Sequence, residues 1–424
     1  MKLINKIKGN PVLKVFSLNS LSVGIRLAGG IIISKIIAQF LGPAGLALIG
    51  NLRNVLSITD SVSTLGFQNG IVKYVAEHQK EETKLKEILS TVFFVLLGVV
   101  AVLSIGVFFG AGYFSEVFFK DAAYKWIFKM IAFAMPWYAG NIFLISILNG
   151  LGNYKKVIKV NISGNVFGVL LSAVLIIYHQ LNGALIAVAL SPALLFIFSF
   201  IMLRGEISLS TFIRKPFFKV TILKNLFYYS LMTLVTVVTG SLVTLYIRNL
   251  IIDLYGEIQG GYWEAVNRFS SYYLMFISTL LTVYFLPKLS TAITNKETKT
   301  VFYSYYKTVM PLFGIGLFLV FVFKYVIITT LLSDEFLPVG PLFKWQLAGD
   351  FLKACSIILG YEFFAKKMTK AFIATEIFSF VTLYLSATYF IKQYGAEGAV
   401  MAHAFTYALY LGLLLVVFRK KIFA

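Results

Sequence analysis

Apolar runs of roughly 18 residues or more recur along the whole length of this 424-residue chain. Each run is long enough to cross the hydrocarbon core of a bilayer, about 30 Å thick, as an α-helix. Hydrophobic residues make up 59% of the sequence and charged residues only 13%, and the mean hydropathy is +0.84. Soluble globular proteins carry far more charge than this. We therefore predict an all-α integral membrane protein without a separate soluble domain.

Hydropathy and loop composition predict about twelve transmembrane helices joined by short loops. The apolar segment after the basic N-terminus is too long for a cleaved signal peptide, so it is expected to remain as the first helix. The predicted spans are 13–40, 44–74, 88–112, 126–150, 157–179, 183–203, 223–250, 258–287, 301–325, 340–364, 370–391 and 395–418. They form an N-terminal six-helix lobe over 1–203 and a C-terminal six-helix lobe over 223–424, joined by a cytoplasmic linker over 204–222.

Lysine and arginine residues outside the spans fall almost entirely on one side of the predicted membrane. Together with Lys14, Lys159, Lys224 and Lys370 near the ends of spans, twenty-four lie on the side that holds both termini, and only Lys120, Lys125 and Lys392 lie on the other. The positive-inside rule therefore predicts that both termini are cytoplasmic. The formal net charge of +20 is explained by this topology, and it does not indicate a nucleic-acid partner.

The two halves of the chain carry matching residues at an offset of 215 positions. Arg53 aligns with Arg268 and Lys73 with Lys288, and the stretch GALIAVALSPAL at 183–194 aligns with GAVMAHAFTYAL at 398–409. Matches spread over a whole half indicate an internal duplication. Because each half has an even number of helices, both insert in the same direction, and a pseudo-two-fold axis along the membrane normal relates the two lobes.

Two of the matching residues, Arg53 and Arg268, are arginines in the middle of membrane-length helices. A guanidinium at that depth costs about 2.5–3.5 kcal/mol, so such residues face a protein interior or a wet cavity. Arginine keeps its charge when buried, and its planar fork matches phosphate oxygens. We predict a cationic cavity between the lobes for an anionic substrate. Arg248 lies near the outer end of its helix, where it can instead extend to the interface. The candidate substrate-binding residues are Arg26, Arg53, Arg248, Arg268 and Lys353.

Acidic residues at similar depth offer these cations structural partners. Glu264 and Arg268 have the i, i+4 spacing of a helical ion pair. Asp350 and Lys353, at i, i+3, are expected to neutralise each other. A salt bridge to a nearby arginine is the expected alternative to ion coupling for Asp60. Asp60, Glu264 and Asp350 are therefore candidates for ion coupling or for charge pairing.

Motifs for catalysis, nucleotide binding and metal binding are missing from the sequence. It contains no P-loop, no Gly-rich dinucleotide fingerprint and no HExxH. Cys355 is the single cysteine, which excludes an internal disulfide and a Cys-rich metal site, and the three histidines are scattered. We predict a transporter with no catalytic residues, no metal and no cofactor.

Four stretches resemble the Wzx-type polysaccharide flippases of the MOP (multidrug/oligosaccharidyl-lipid/polysaccharide) exporter superfamily. They are FLGPAGLALIGNLRNV at 40–55, GFQNGIVKYVAEH at 66–78, YFLPKLS at 284–290 and LFKWQLAGDFLKACSIILGYEFFAK at 342–366. Within that family the chain is similar to the translocases of enterobacterial common antigen and O-antigen. The stretches fall in both halves, and the length and helix number agree across the whole chain.

The resemblance implies a MATE-like fold and transport of an undecaprenyl-pyrophosphate-linked oligosaccharide from the cytoplasmic to the periplasmic leaflet of the bacterial inner membrane. It implies alternating access, driven by a proton or Na⁺ gradient or by the membrane potential, without ATP. It also implies that Arg26, Arg53 and Arg268 hold the pyrophosphate and sugars. Implied partners are the lipid-linked oligosaccharide, membrane lipids, a polysaccharide polymerase and a chain-length regulator.

Two other functions are compatible with a multi-helix membrane protein. A MATE-like ion-coupled drug antiporter would have the same architecture, but its cavity for cationic drugs would be net acidic, whereas the predicted cavity is net basic. A membrane glycosyltransferase, polymerase or ligase would require large outer loops or a catalytic acid–base set, and the predicted outer loops are short. The lipid-linked oligosaccharide flippase is therefore the preferred hypothesis.

Overall fold

The structure, a computed structural model, describes residues 11–422, with side chains for 22–224, 226–227 and 230–422. Within that range the chain is helical and contains no β-strand. Lys2, Lys6 and Lys8, which were counted on the predicted cytoplasmic side, lie outside the described residues. The α-helices of eight residues or more are α1 Pro11–Ser63, α2 Gln68–His78, α3 Glu82–Phe109, α4 Ala111–Phe119, α5 Lys125–Gly150, α6 Tyr154–Leu203, α7 Val220–Tyr255, α8 Glu257–Leu280, α9 Asn295–Val322, α10 Lys324–Leu331, α11 Phe343–Ala365, α12 Thr369–Tyr394 and α13 Ala396–Val417.

Two of these elements are pairs of helices joined at a kink. α1 breaks at Gly42, whose φ of +61° favours glycine, and Pro43 follows it. α6 breaks at Gln180, whose φ is +45°. Nine segments of the described residues are long and apolar enough to cross a membrane, and two of these contain the kinks. Counting both arms of each kinked segment, together with α11, brings the long helices to twelve. The predicted all-α membrane fold is confirmed.

Three boundaries differ from the sequence-based prediction. The span predicted over 44–74 is interrupted after Ser63, where Leu65 and Gly66 take positive φ values, and α2 begins at Gln68. A Cβ at position 66 would lie 2.9 Å from the carbonyl oxygen of Ser230, so this turn depends on close backbone approach. The span predicted from 340 begins as a 3₁₀ helix, Asp334–Leu342. The loop predicted before α5 contains the helix α4.

The chain divides into two compact units. The first unit is Met1–Ile33 with Asn51–Ser241, and the second is Ser34–Gly50 with Leu242–Ala424. The helices α1 and α7 each contribute to both units.

The segment between α6 and α7 is held against α3 by hydrogen bonds between its backbone and two hydroxyl side chains of α3. The hydroxyl of Ser90 donates to the Phe212 carbonyl oxygen at 2.9 Å and accepts from the Arg214 amide at 3.0 Å. The Lys219 amide donates to the Thr91 hydroxyl at 2.8 Å. These contacts satisfy backbone groups that have no partner in a regular helix, and they fix the segment on the first unit.

Candidate functional site

A cluster of three buried charges lies in the second unit and is formed by residues of α7 and α8. Nη2 of Arg248 donates to Oε2 of Glu264 at 2.5 Å, and Nε of Arg268 donates to Oε1 of the same carboxylate at 3.0 Å. No member of this triad exposes more than 7% of its side chain. One carboxylate faces two guanidiniums, so the triad of Arg248, Glu264 and Arg268 carries a net charge of +1.

The sequence brings these residues together through glycine. Gly256, with φ +88°, separates α7 from α8 and allows the chain to reverse. A Cβ at Gly50 would lie 2.6 Å from Cδ of Glu264 and 2.8 Å from Cζ of Arg248. A residue larger than glycine at position 50 would therefore displace the ion pair. The Trp263 ring completes the enclosure, because Cζ of Arg248 lies 5.4 Å from the ring centroid.

Arg268 keeps one donor that no group of the triad uses. Its Nη1 donates to the Ser34 hydroxyl at 3.1 Å, and that hydroxyl lies 2.7 Å from the Tyr272 hydroxyl. Its Nη2 is buried and has no hydrogen-bond partner within the described residues. A buried donor on a charged group is costly to leave unsatisfied, whereas an anionic oxygen would satisfy it and offset the surplus charge. The arrangement suits the binding of an anion.

A second polar cluster in the same unit surrounds Asp350, which is fully buried. Its Oδ1 accepts from the Ser270 hydroxyl at 2.8 Å and lies 2.9 Å from Nε2 of His403. Gln346 donates to both carboxylate oxygens at 3.2 Å, and the Tyr273 hydroxyl donates to Oδ2. The carboxylate is therefore surrounded by partners from α8, α11 and α13.

Asp350 and Lys353, which were expected to neutralise each other, form no direct salt bridge among the described residues, although their charges still interact. Nζ of Lys353 lies 5.1 Å from the centroid of the Tyr407 ring. The lysine therefore extends from α11 to the ring of Tyr407 on α13. His403 occupies the position beside Asp350 that the prediction gave to the lysine.

The candidates Arg26, Arg53 and Asp60 lie on α1 in the first unit. Arg26 is exposed, and Arg53 is half-buried. The expected salt bridge from Asp60 to an arginine is absent among the described residues, and Oδ1 of Asp60 is buried there without a hydrogen-bond partner. Asp60 thus stays a candidate for ion coupling, and the substrate-binding roles of the two arginines stay predictions.

Arg248 does not extend to the membrane interface, contrary to the alternative considered from sequence. Only 2% of its side chain is exposed, and its guanidinium is bound by Glu264. The carboxylate lies on the next helix, so its attraction for Arg248 could not be read from spacing within one helix. The i, i+4 contact expected between Glu264 and Arg268 is present.

A family described as "Polysaccharide biosynthesis protein" matches residues 36–341 of the chain. The chain belongs to this polysaccharide biosynthesis family. The lipid III flippases of Escherichia coli (strain K12) and Shigella flexneri are each 30% identical to it over 391 residues, which is 92% of this chain and 94% of each relative. The predicted resemblance to Wzx-type flippases is confirmed, as is the prediction of a transporter rather than an enzyme.

Solved structures share the fold of this polysaccharide biosynthesis protein at low sequence identity. An inward-facing multidrug resistance MATE transporter of the MOP superfamily has a TM-score of 0.81 and 13% identity, covering 97% of this chain and 98% of its own. An outward-facing MATE transporter has a TM-score of 0.66 and 15% identity, covering 98% and 97%. At such identities the likeness establishes the fold alone, and the fold is the MATE type that the sequence predicted.

Several residues around the two clusters were not among the predicted site residues. They are Ser34, Gly50, Trp263, Ser270, Tyr273, Gln346 and His403. One sequence signal does mark the histidine. Gly349 precedes Asp350, and a Cβ there would collide with the His403 ring. Gly349 therefore marks the place where the side chain of His403 approaches α11 closely.

Proposed function

We propose that this protein moves a prenyl-pyrophosphate-linked oligosaccharide from the cytoplasmic to the periplasmic leaflet of a bacterial inner membrane, with both termini in the cytoplasm. Membership of the polysaccharide biosynthesis family and the relationship to two lipid III flippases support the class of substrate. The observation that carries the proposal is the triad, which keeps a net positive charge and leaves Nη2 of Arg268 unused.

In this proposal the pyrophosphate supplies the oxygens that the triad lacks. Arg268 binds a phosphate oxygen through Nη2 while Glu264 and Ser34 keep its guanidinium in place. Glu264 neutralises one of the two guanidiniums, which leaves a moderate rather than a large attraction. This matters for transport, because a substrate that is bound too tightly is not released. Arg26 and Arg53 act as further cationic contacts, and Lys353 is a weaker candidate because Tyr407 engages it.

The two lobes of a MATE-type fold open to each side of the membrane in turn, so alternating access is the proposed route. A proton or Na⁺ gradient, or the membrane potential, drives the cycle. Asp60 is the proposed coupling residue in the first unit because its Oδ1 is buried without a hydrogen-bond partner among described residues. Asp350 is the proposed coupling residue in the second unit, through His403. A polymerase and a chain-length regulator are the proposed downstream partners.

The test is reconstitution into proteoliposomes with a fluorescent prenyl-pyrophosphate oligosaccharide, with and without an imposed ion gradient. We expect Arg268→Ala to lower the flipping rate about tenfold or more, because a hydrogen bond to a charged group contributes about 1.5–3 kcal/mol. The variant leaves Arg248 and Glu264 as a neutral pair, so folding should be retained. Arg268→Lys should keep part of the rate because it keeps the charge.

Lys392→Ala is the matched control, since it removes an exposed cation far along the chain from the triad. If Arg268→Ala flips the oligosaccharide at the wild-type rate, with equal amounts of protein in the liposomes, the triad has no role in transport. Gradient dependence that is unchanged in both Asp60→Asn and Asp350→Asn would rule out their coupling roles.

An ion-coupled drug antiporter is the second candidate. The buried, unpartnered Oδ1 of Asp60 favours it, because an acid in that state attracts a cation. The net positive charge of the triad argues against a binding site for cationic drugs. Gradient-driven movement of a small cationic dye, with no protein-dependent movement of the lipid-linked oligosaccharide, would replace the flippase proposal with this one.

A further inference from the structure

An apolar groove runs across the first unit, between α3, α5, the second arm of α6 and the segment that follows α6. Its volume is about 150 Å³. Pro136 and Gly140 of α5 form its floor, and Phe196 covers Gly140 so closely that a Cβ there would lie 2.7 Å from the ring. Leu97 lies at its edge with 54% of its surface exposed. The groove has the apolar lining that a hydrocarbon chain requires.

A polar pocket adjoins the groove and shares two lining residues with it, Phe200 and Leu209. The pocket is lined by residues 203–210, which include Arg204 and the hydroxyls of Ser208 and Ser210. The Arg204 guanidinium lies 4.8 Å from the centroid of the Phe200 ring, at the point where groove and pocket meet. An apolar groove beside a pocket that carries a guanidinium and two hydroxyl groups matches the chemistry of an amphiphile.

The charge of the pocket is positive. Its acidic residue, Glu206, is bound by Nζ of Lys156 at 2.6 Å. The hydrogen bonds from Lys156 and then Asn153 hold the pKa of Glu206 below its usual value, so the carboxylate stays ionised and neutralises that lysine. Arg204 makes no ion pair within the part of the chain that the structure describes. One uncompensated guanidinium therefore faces the pocket.

We propose that groove and pocket together bind one anionic glycerophospholipid of the membrane. An acyl chain occupies the groove, the phosphate binds Arg204, and the head-group hydroxyls contact Ser208 and Ser210. A single guanidinium matches a single phosphate, which favours a phospholipid over the more highly charged pyrophosphate of the proposed transport substrate. Because Leu209 and Ile213 line the groove, the lipid also fixes the segment after α6 to the helices of the first unit.

The site is tested by titrating delipidated full-length protein in mild detergent with phosphatidylglycerol or with phosphatidylcholine of the same chains, and counting bound lipid by native mass spectrometry. We expect the wild type to prefer phosphatidylglycerol about fivefold, the contribution of one cation near an anionic head group. Arg204→Gln should remove the preference without changing phosphatidylcholine binding. Leu97→Trp should weaken the binding of both lipids because the larger ring fills the groove.

Lys80→Ala is the control, since Lys80 is an exposed cation of the same unit that does not line the groove or the pocket. It should keep the preference. Equal binding of the two lipids by the wild type, or an unchanged preference in Arg204→Gln, would overturn the proposal. So would displacement of phosphatidylglycerol by an equal concentration of a prenyl monophosphate, which would assign the groove to the substrate chain. The readout is lipid binding alone, so it does not depend on whether the protein flips oligosaccharides.

Discussion

At the scale of single residues, Glu264 sets the charge of the candidate site, because its one carboxylate accepts hydrogen bonds from two arginines. Removing one partner from a buried ion pair leaves a charge without compensation, at a cost of roughly 3–5 kcal/mol. Arg268 can be removed more safely than Glu264, because Arg248 and Glu264 then remain as a neutral pair. The residue that permits this geometry is Gly50, which carries no charge.

We expect Gly50→Ala to separate Arg248 from Glu264, because the new methyl group would lie 2.6–2.8 Å from both groups. The predicted result is a lower melting temperature in detergent and a loss of oligosaccharide flipping. Gly98→Ala is the matched control, since nothing lies within 4 Å of a Cβ at that helical position. Alanine favours a helix over glycine by about 1 kcal/mol, so the control should be as stable as the wild type or slightly more so. Equal melting temperatures for the two variants would show that the Arg248–Glu264 pair does not require a glycine at position 50.

At the scale of elements, the kink of α1 and the first turns of α8 are in direct backbone contact. Gly42 and Pro43 end the first arm of α1, and Gly261 lies where α8 meets them. A Cβ at position 261 would overlap the carbonyl oxygen of Pro43, which is backbone and cannot rotate away. Small residues at helix contacts are the usual means of close packing in membranes. The contact also sets the height at which α8 presents Glu264 and Arg268.

Gly261→Ala should therefore move α8 away from the α1 kink and reduce the yield of folded protein. The expected size of the effect exceeds that of an ordinary helix substitution, because backbone must shift rather than a side chain. The yield of monodisperse protein after size-exclusion chromatography measures it. Gly316→Ala, at a helical position with open space around the Cβ, should give the wild-type yield. If both variants purify equally well, the close contact is not a requirement of the fold.

At the scale of the whole molecule, the distribution of lysine and arginine predicts which side of the membrane each loop faces. Cys355 is the only cysteine, so a Cys355→Ser background allows single labelling sites to be introduced. Lys392 and Lys80 are both exposed and belong to loops predicted on opposite sides.

In that background we expect Lys392→Cys to react with a membrane-impermeant maleimide in intact bacterial cells. Lys80→Cys should react only after the inner membrane is permeabilised, because the positive-inside rule places its loop in the cytoplasm. The parent Cys355→Ser protein is the control for background labelling. The reverse pattern would invert the orientation and, with it, the proposed direction of transport.

The sequence by itself determined the membrane class, the helical architecture, the family and the burial of one of the two central arginines, Arg268. These follow from local quantities: the length of an apolar run, its charge content and the cost of a charge at that depth. The spacing within α8 was also sufficient to predict the contact of Glu264 with Arg268, because both residues lie on one helix.

Only the tertiary structure decided which acid meets which base across helices. Arg248 reaches Glu264 on the following helix, and His403 rather than Lys353 lies beside Asp350. Asp60 has a buried oxygen without a hydrogen-bond partner among the described residues, where a salt bridge was expected. These outcomes depend on how each helix is rotated and how closely glycines allow its neighbours to approach. Periodicity within one helix carries no information on the side chains that a second helix brings to its surface.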